Sequence, residues 1–330
     1  MVEEATRYGH LALQILERLP SSVASRTLCS VWADAMPHKI AYRKCLEPII
    51  ESHRLGMLTG DIETALIAAF VHSAVTFYVG EPLEKVLNLV TRYSVISRDY
   101  QNNAVKDFLN VLGQGCANFQ GHAAHKPVFL TGMYMQEEEM ITKTSAEKLA
   151  CGFLWIFVMK YMLAAYMHDF EYADSFSSQI RKHIHVSVIP LIKTVHIFLE
   201  GFVAAVRGTK ARRYRSIARS RLKELRAAAK NCPENLNNKV CLLEAEIARF
   251  SYKHEKALQK YDQAVRLASK DGCLHEQGLA SERAGRMLLK MGQLRKGHEY
   301  LQAARGYYAQ WGAQIKTEQM DHILYKKSVD

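Results

Sequence analysis

With 330 residues, 48% of them hydrophobic, the chain has enough apolar material for a large core or a long repeat array. Its 18 glycines and 7 prolines are too few for a disordered chain or a turn-rich β architecture. A formal net charge of +11 admits an acidic partner without choosing among nucleic acid, anionic membrane and protein, and seven scattered cysteines with no C-x-x-C pair argue against a disulfide framework or zinc site.

The chain opens with acidic residues, Glu3 and Glu4, which do not make a signal-peptide n-region, so a cytoplasmic location with reduced thiols is expected. Tyr8, Leu11, Leu13, Ile15 and Leu16 form one broad stripe of a first helix. Pro48 lies within an apolar helical pattern and predicts a kink or break. Gly60-Asp61 predicts a helix end followed by a new cap, and Gly80-Glu81-Pro82 a second such junction. Leu83, Val86, Leu87 and Val90 then follow the i, i+3, i+4, i+7 pattern.

Residues 113–145 are the least regular stretch, with Gly113, Gly115, Gly121, Pro127 and Gly132 before Glu137-Glu138-Glu139. We expect a solvated connection there between helical repeats at 1–112 and at 146–330, the whole forming one continuous array. Residues 149–165 and 186–206 are apolar enough to suggest membrane spans. Lys160 interrupts the first, and Lys193, His196 and Glu200 the second, so buried core helices are the stronger expectation. Pro190, inside the second pattern, predicts another kink or break.

An internal repeat closes the chain. Ala257, Tyr261 and Ala264 recur at one constant offset as Gly297, Leu301 and Ala304. Small residues at such points let two helices approach, and the larger one fills the hole between hairpins. This is the logic of a tetratricopeptide-like unit with a longer period. Ile247, Phe250, Leu258, Tyr261 and Val265 keep the helical period, and no convincing alternation predicts a strand. The fold class expected is therefore all-α, a tetratricopeptide-like α-solenoid of antiparallel helix hairpins.

Catalytic signatures are missing from the sequence: no Walker A loop, no H-R-D or D-F-G, no H-E-x-x-H and no G-x-S-x-G. Gly113-Gln114-Gly115 begins like a dinucleotide fingerprint, but position 118 is Asn118. His183 and His185, two apart on a helix, diverge, which argues against a metal pair. The expectation is thus no enzyme activity, no cofactor and no metal. The strongest charge feature is the run 207–230, with ten basic residues against Glu224 alone. Arg207, Lys210, Arg212, Arg213, Arg215, Arg219 and Arg221 form its candidate docking face for an acidic protein segment, alongside the plainer reading of a solvated helix. Without a base-reading module the charge argues only weakly for nucleic acid.

Several segments resemble a known family. They include Cys232-Pro233-Glu234-Asn235, Lys239, Leu243-Glu244-Ala245-Glu246, Tyr261-Asp262-Gln263-Ala264, His275-Glu276-Gln277-Gly278 and Tyr307-Tyr308-Ala309-Gln310-Trp311-Gly312. Looser landmarks are Arg7-Tyr8-Gly9-His10, Thr59-Gly60-Asp61 and Gly80-Glu81-Pro82. Together they are similar to the tetratricopeptide-like helical region of multidomain signalling kinases, both serine/threonine and hybrid histidine kinases, that carry a STAND-type ATPase. The resemblance implies a non-catalytic connector for protein–protein interaction and regulation, with no catalytic residue to carry over. It also implies a chain that begins mid-array, as a fragment, a split gene product or a divergent stand-alone copy. Two alternatives stay open: part of a kinase/ATPase polypeptide whose phosphotransfer lies outside these residues, and a membrane-associated helical protein.

Overall fold

The structure is a computed structural model that describes residues 2–18, 23–146, 150–186 and 190–325. Its rhythm is set by turns. Gly60, Gly80, Gln101 and Gly121 take up left-handed φ at nearly equal intervals, and Tyr252, Gly272, Gly292 and Gly312 are spaced just as evenly. Each ends a helix. The next N–H returns to a carbonyl of the last turn, as from Asn102 to Ser97 (2.8 Å), Cys273 to Ala268 (2.8 Å) and Gln293 to Leu288 (3.0 Å). The interval leaves room for helices of about 17 residues between turns of two or three.

Sixteen α-helices result among the described residues. After α1 (Val2–Arg18) and α2 (Ala24–Ser30) come α3 (Tyr42–Thr59), α4 (Ile62–Tyr78), α5 (Leu83–Asp99) and α6 (Asn103–Phe119). Beyond the irregular segment follow α7 (Glu137–Ala146), α8 (Ala150–Tyr166), α9 (Phe170–His183), α10 (Pro190–Val206) and α11 (Arg212–Ala229). The array ends with α12 (Pro233–Phe250), α13 (His254–Lys270), α14 (Leu274–Lys290), α15 (Leu294–Trp311) and α16 (Gln314–Tyr325). No strand occurs among the described residues. The chain is an all-α solenoid of helix hairpins.

Beyond their chain neighbours, the helices α4, α6, α8, α10, α12 and α14 touch one another in succession and form an inner row. This explains their composition. α4, α8 and α10 are apolar nearly all round because they are covered on every side. No described helix is long and apolar enough to cross a membrane. Residues 149 and 187–189 of the two apolar stretches lie outside the described residues. The flanking helices α5, α11, α13 and α15 bury one stripe each. On α13 this is Ala257, Tyr261, Ala264 and Ala268, and on α15 Gly297, Leu301, Ala304, Tyr308 and Trp311.

The array winds far enough to meet itself. The Asn235 carboxamide on α12 accepts from Tyr42 N–H (2.8 Å) and donates to the carbonyls of Pro37 and Ile40 (both 3.1 Å). Arg43 donates to the carbonyls of Asp271 and Gly272. Along the axis Trp311 packs on Phe119 (centroids 4.8 Å apart), His275 (5.1 Å) and Phe77 (5.9 Å).

Pro48 sits inside α3, which continues past it, and Pro190 is the first described residue of α10. Two local expectations change. The segment expected to be irregular at 113–145 shrinks to 120–136, because Gly113 and Gly115 belong to α6. There they allow the Tyr134 ring and the Met159 side chain to lie where a Cβ would stand. Nor is 120–136 a solvated linker. Asn118 Nδ2 donates to the carbonyls of Pro127 (2.9 Å) and Phe129 (2.7 Å), Gln114 accepts from Tyr134 N–H, and Val128, Leu130 and Met135 are buried. Finally, the stripe on α1 faces outward. Tyr8, Leu11 and Ile15 are exposed, whereas Thr6 and Gly9 are buried, Gly9 lying close to Met36 and Ala35.

Candidate basic docking face

α11 is fixed by a narrow stripe of Tyr214, Ala218, Leu222 and Leu225 packed into the array. Between α10 and α11 the chain carries Arg207 and Lys210, so the basic run starts inside the fold and then emerges from it. Neighbouring helices answer much of its charge. Asp174 on α9 holds Arg207 (3.1 Å) and accepts from the Tyr214 hydroxyl (2.9 Å). Arg213 donates to that same hydroxyl (2.7 Å), with its guanidinium carbon 4.7 Å from the Tyr214 ring centroid. Glu171 pairs with Lys210 at 2.8 Å, and Glu244 on α12 with Arg226 at 2.6 Å.

Arg221 is the most deeply engaged. It pairs with Glu200 of α10 and with Glu224, each at 2.6 Å. Glu200 also receives the Ser177 hydroxyl and the Arg181 guanidinium. Burial alone would raise the Glu200 pKa, but the Ser177 hydrogen bond, His196, Arg221 and Arg181 together hold it below the ordinary glutamate value. His196, four residues before it, is pushed down to about 4 by burial and stays neutral near pH 7.

What remains is a smaller face than the sequence suggests. Arg215 turns back to the Gly208 carbonyl (3.0 Å), and Arg219 lies 5.8 Å over the Phe250 ring. Arg212, Lys223 and Lys230 are exposed with no partner among the described residues. Of the seven docking residues marked in the sequence, Arg207 and Arg221 are structural, Lys210, Arg213, Arg215 and Arg219 are partly engaged, and Arg212 is exposed without a partner among the described residues. Sequence reasoning missed Lys223 and Lys230 as the other free cations, since spacing alone does not reveal which side faces a carboxylate.

The repeat-packing set lies where helices meet. Ala257, Tyr261, Ala264, Leu301 and Ala304 are all at most 2% exposed. A Cβ on Gly297 would meet the Leu289 side chain at 2.7 Å. Tyr261 also donates to Glu246 (2.6 Å), a fully buried carboxylate held by Arg283 and Arg249. Burial would raise the Glu246 pKa, but the two guanidiniums carry it well below the ordinary value. The next inner helix repeats the device, with Glu282 bound by Lys316 (2.8 Å), Arg286 (2.9 Å) and the Tyr308 hydroxyl (2.8 Å).

Among the described residues no three His, Cys, Asp or Glu side chains converge as a metal would need. His183 ends α9, stacked on Phe153 (5.6 Å). Six of the seven thiols are buried and Cys151 is exposed. No known protein family's profile matches the chain, and no curated protein matches its sequence.

Proposed function

We propose that this chain is a non-catalytic helical-repeat scaffold for protein–protein interaction and regulation in cytoplasmic signal transduction, with a partner that presents an acidic segment. The supporting observation is the outer side of α11, where Arg212 and Lys223 on the helix and Lys230 just past its end are exposed with no carboxylate of their own among the described residues. Such cations act mainly by steering: they raise the association rate and make it sensitive to salt, rather than supplying most of the affinity. The axis of the array is packed by Trp311, Phe77, Phe119 and Tyr166, which supports a docking surface on the outside rather than within the winding.

The resemblance to the connector of STAND-ATPase kinases supports a regulatory setting in which kinase or ATPase domains are the partners and phosphotransfer lies outside this chain. The scaffold needs no cofactor and no metal, and nucleic acid and membrane are not its targets.

Fluorescence anisotropy with a labelled poly-glutamate peptide tests this reading, with single-stranded DNA of equal charge for comparison. The expected result is peptide binding that weakens from low to physiological salt and is lost in the Arg212→Glu, Lys223→Glu, Lys230→Glu triple variant. Binding that survives the triple variant, or a clear preference for DNA, overturns it. Hydrolysis of ATP by the purified chain would refute its non-catalytic character.

A further inference from the structure

Below α11 the fold assembles a second basic feature that no run in the sequence announces. A cavity of about 710 Å³ opens between the start of α9, the end of α10 and the inner helices α12 and α14. Six cations line it: Arg207, Lys210, Arg249, Arg283, Arg286 and Lys290. Three of them hold similar places. Arg207, Arg249 and Lys290 each stand within one residue of the C-terminal end of successive inner helices, one hairpin further along the chain each time. Arg283, Arg286 and Lys290 then share one face of α14, at spacings of three and four.

Such cations can be purely structural, and each arginine here does have a structural anchor. The anchors, however, use only part of each side chain. Arg283 gives Nε and Nη2 to Glu246, leaving Nη1. Arg249 gives Nε to Glu246 and Nη2 to the carbonyls of Ala205 and Val206, also leaving Nη1. Arg286 gives only Nε to Glu282. Arg207 gives Nη1 to the Phe170 carbonyl and Asp174. Lys290 is exposed and has no partner among the described residues.

The result is a set of guanidiniums fixed from behind by carboxylates and carbonyls, with unused donors on side chains that line one concave space. Arg207, Arg249 and Arg283 are only 13%, 16% and 8% exposed, so little hydration competes for them. Two lining carboxylates are already engaged: Asp169 caps α9 by accepting from Tyr172 N–H, and Glu171 pairs with Lys210. Phe170, Val206, Met287, Leu289 and Ile323 add an apolar part to the wall, beside His168 and Thr209. Its volume suits a small organic molecule or one anchoring side chain.

We propose that this cavity binds a phosphomonoester whose organic part lies against the apolar wall. Guanidiniums with free edges match phosphate oxygens in geometry and charge, and pre-anchoring spares the entropy of ordering them. A free small molecule and a phosphorylated protein side chain are both sources of such a group, since the recognised chemistry is the same. The inference is independent of the scaffold reading, because its decisive residues lie on α12 and α14 rather than on the outer side of α11.

Isothermal titration at low salt with inorganic phosphate, phenyl phosphate and a phosphoserine peptide tests it. The expected result is saturable binding of phenyl phosphate, tighter than inorganic phosphate. In the Arg286→Gln, Lys290→Gln double variant this should weaken by about tenfold or more. Both substitutions leave Glu282 with Lys316 and Tyr308, and circular dichroism checks that the fold is kept. A Lys223→Gln, Lys230→Gln variant on α11 should bind phenyl phosphate as the parent does. Tighter binding of the peptide than of phenyl phosphate, lost in the same double variant, identifies a phosphorylated segment as the source; the reverse order identifies a small molecule. The proposal is overturned if no phosphate compound binds up to the millimolar range, if the Arg286 and Lys290 changes leave binding intact, or if the α11 variant reduces it equally.

Discussion

Replacing Trp311 tests whether the winding of the array on itself is a stabilising feature. The indole is completely buried and touches rings from four other helices: Phe77 on α4, Phe119 on α6, Tyr166 on α8 and His275 on α14. Burying an aromatic side chain of this size removes on the order of 150–250 Å² from water, which at about 25 cal/mol per Å² is roughly 4–6 kcal/mol. Compactness of the unfolded chain lowers that figure by some 10–40%, and the cavity left in a packed axis raises the cost again. Trp311→Ala should therefore lose about 3–5 kcal/mol. Trp311→Phe should lose far less: it keeps most of the ring contact, and the indole N–H it removes is buried without a protein acceptor among the described residues. Urea unfolding followed by far-UV circular dichroism measures both. Since Trp311 ties the last hairpin to helices much earlier in the chain, the alanine variant should also unfold less cooperatively, α15 and α16 melting first. A loss below about 0.5 kcal/mol, the size expected for a change at an exposed position such as Leu58, would refute the reasoning.

Other consequences follow from the same packing. A Cβ on Gly80, at φ +81°, would meet backbone atoms of Cys273 and Leu274 at 2.8 Å, whereas Gly60, at φ +82°, has open space; Gly80→Ala should cost clearly more than the roughly 1–2 kcal/mol of left-handed strain expected for Gly60→Ala, as read from paired denaturation curves. Lys316→Met strips a fully buried carboxylate, Glu282, of one of its cations and should cost about 3–5 kcal/mol, with Glu282→Gln added in the double variant restoring part of the loss. His275 is held neutral, its pKa pushed by burial from 6.5 down to about 4. The unfolded chain therefore binds the extra proton between those values, and stability is full above pH 6.5 and falls as pH drops toward 4, by up to about 3 kcal/mol from this group. Thermal melts across that range should show the slope, and His275→Gln should reduce it by the share of this one group, since His72 and His196 are pushed down to about 4 by burial as well.

Much of the architecture is legible in the sequence because it rests on local rules. Gly60-Asp61 is a helix end and cap in the structure, with Gly60 left-handed and Asp61 accepting from Thr64 N–H, and the offset between Ala257 and Gly297 matches the starts of α13 and α15. The misses have physical causes. Gln101, His168 and Tyr252 take left-handed φ without being glycine, so three turns carry no compositional mark. The glycines of α6 read as loop residues because nothing local shows that Tyr134 and Met159 need their space. The stripe on α1 has the period of a core face, but a period reports only that one face is apolar, not which face meets the array.

The candidate site shows a sharper form of the same limit. In a solenoid, spatial neighbours are separated by one hairpin of about 40 residues, so a constellation is periodic in sequence rather than local. The run 207–230 stands out because its charges are contiguous, yet contiguity on one helix spreads side chains around the axis. Arg221 thus turns inward to Glu200, while Lys223 faces solvent. Arg207, Arg249 and Lys290 are the opposite case: each is ordinary in its own segment, as a basic residue at a helix C-terminus where the macrodipole favours it. Only the stacking of α10, α12 and α14 brings them to one cavity. A functional constellation in such a fold is therefore better sought by comparing the ends of successive helices than by scanning for contiguous charge alone.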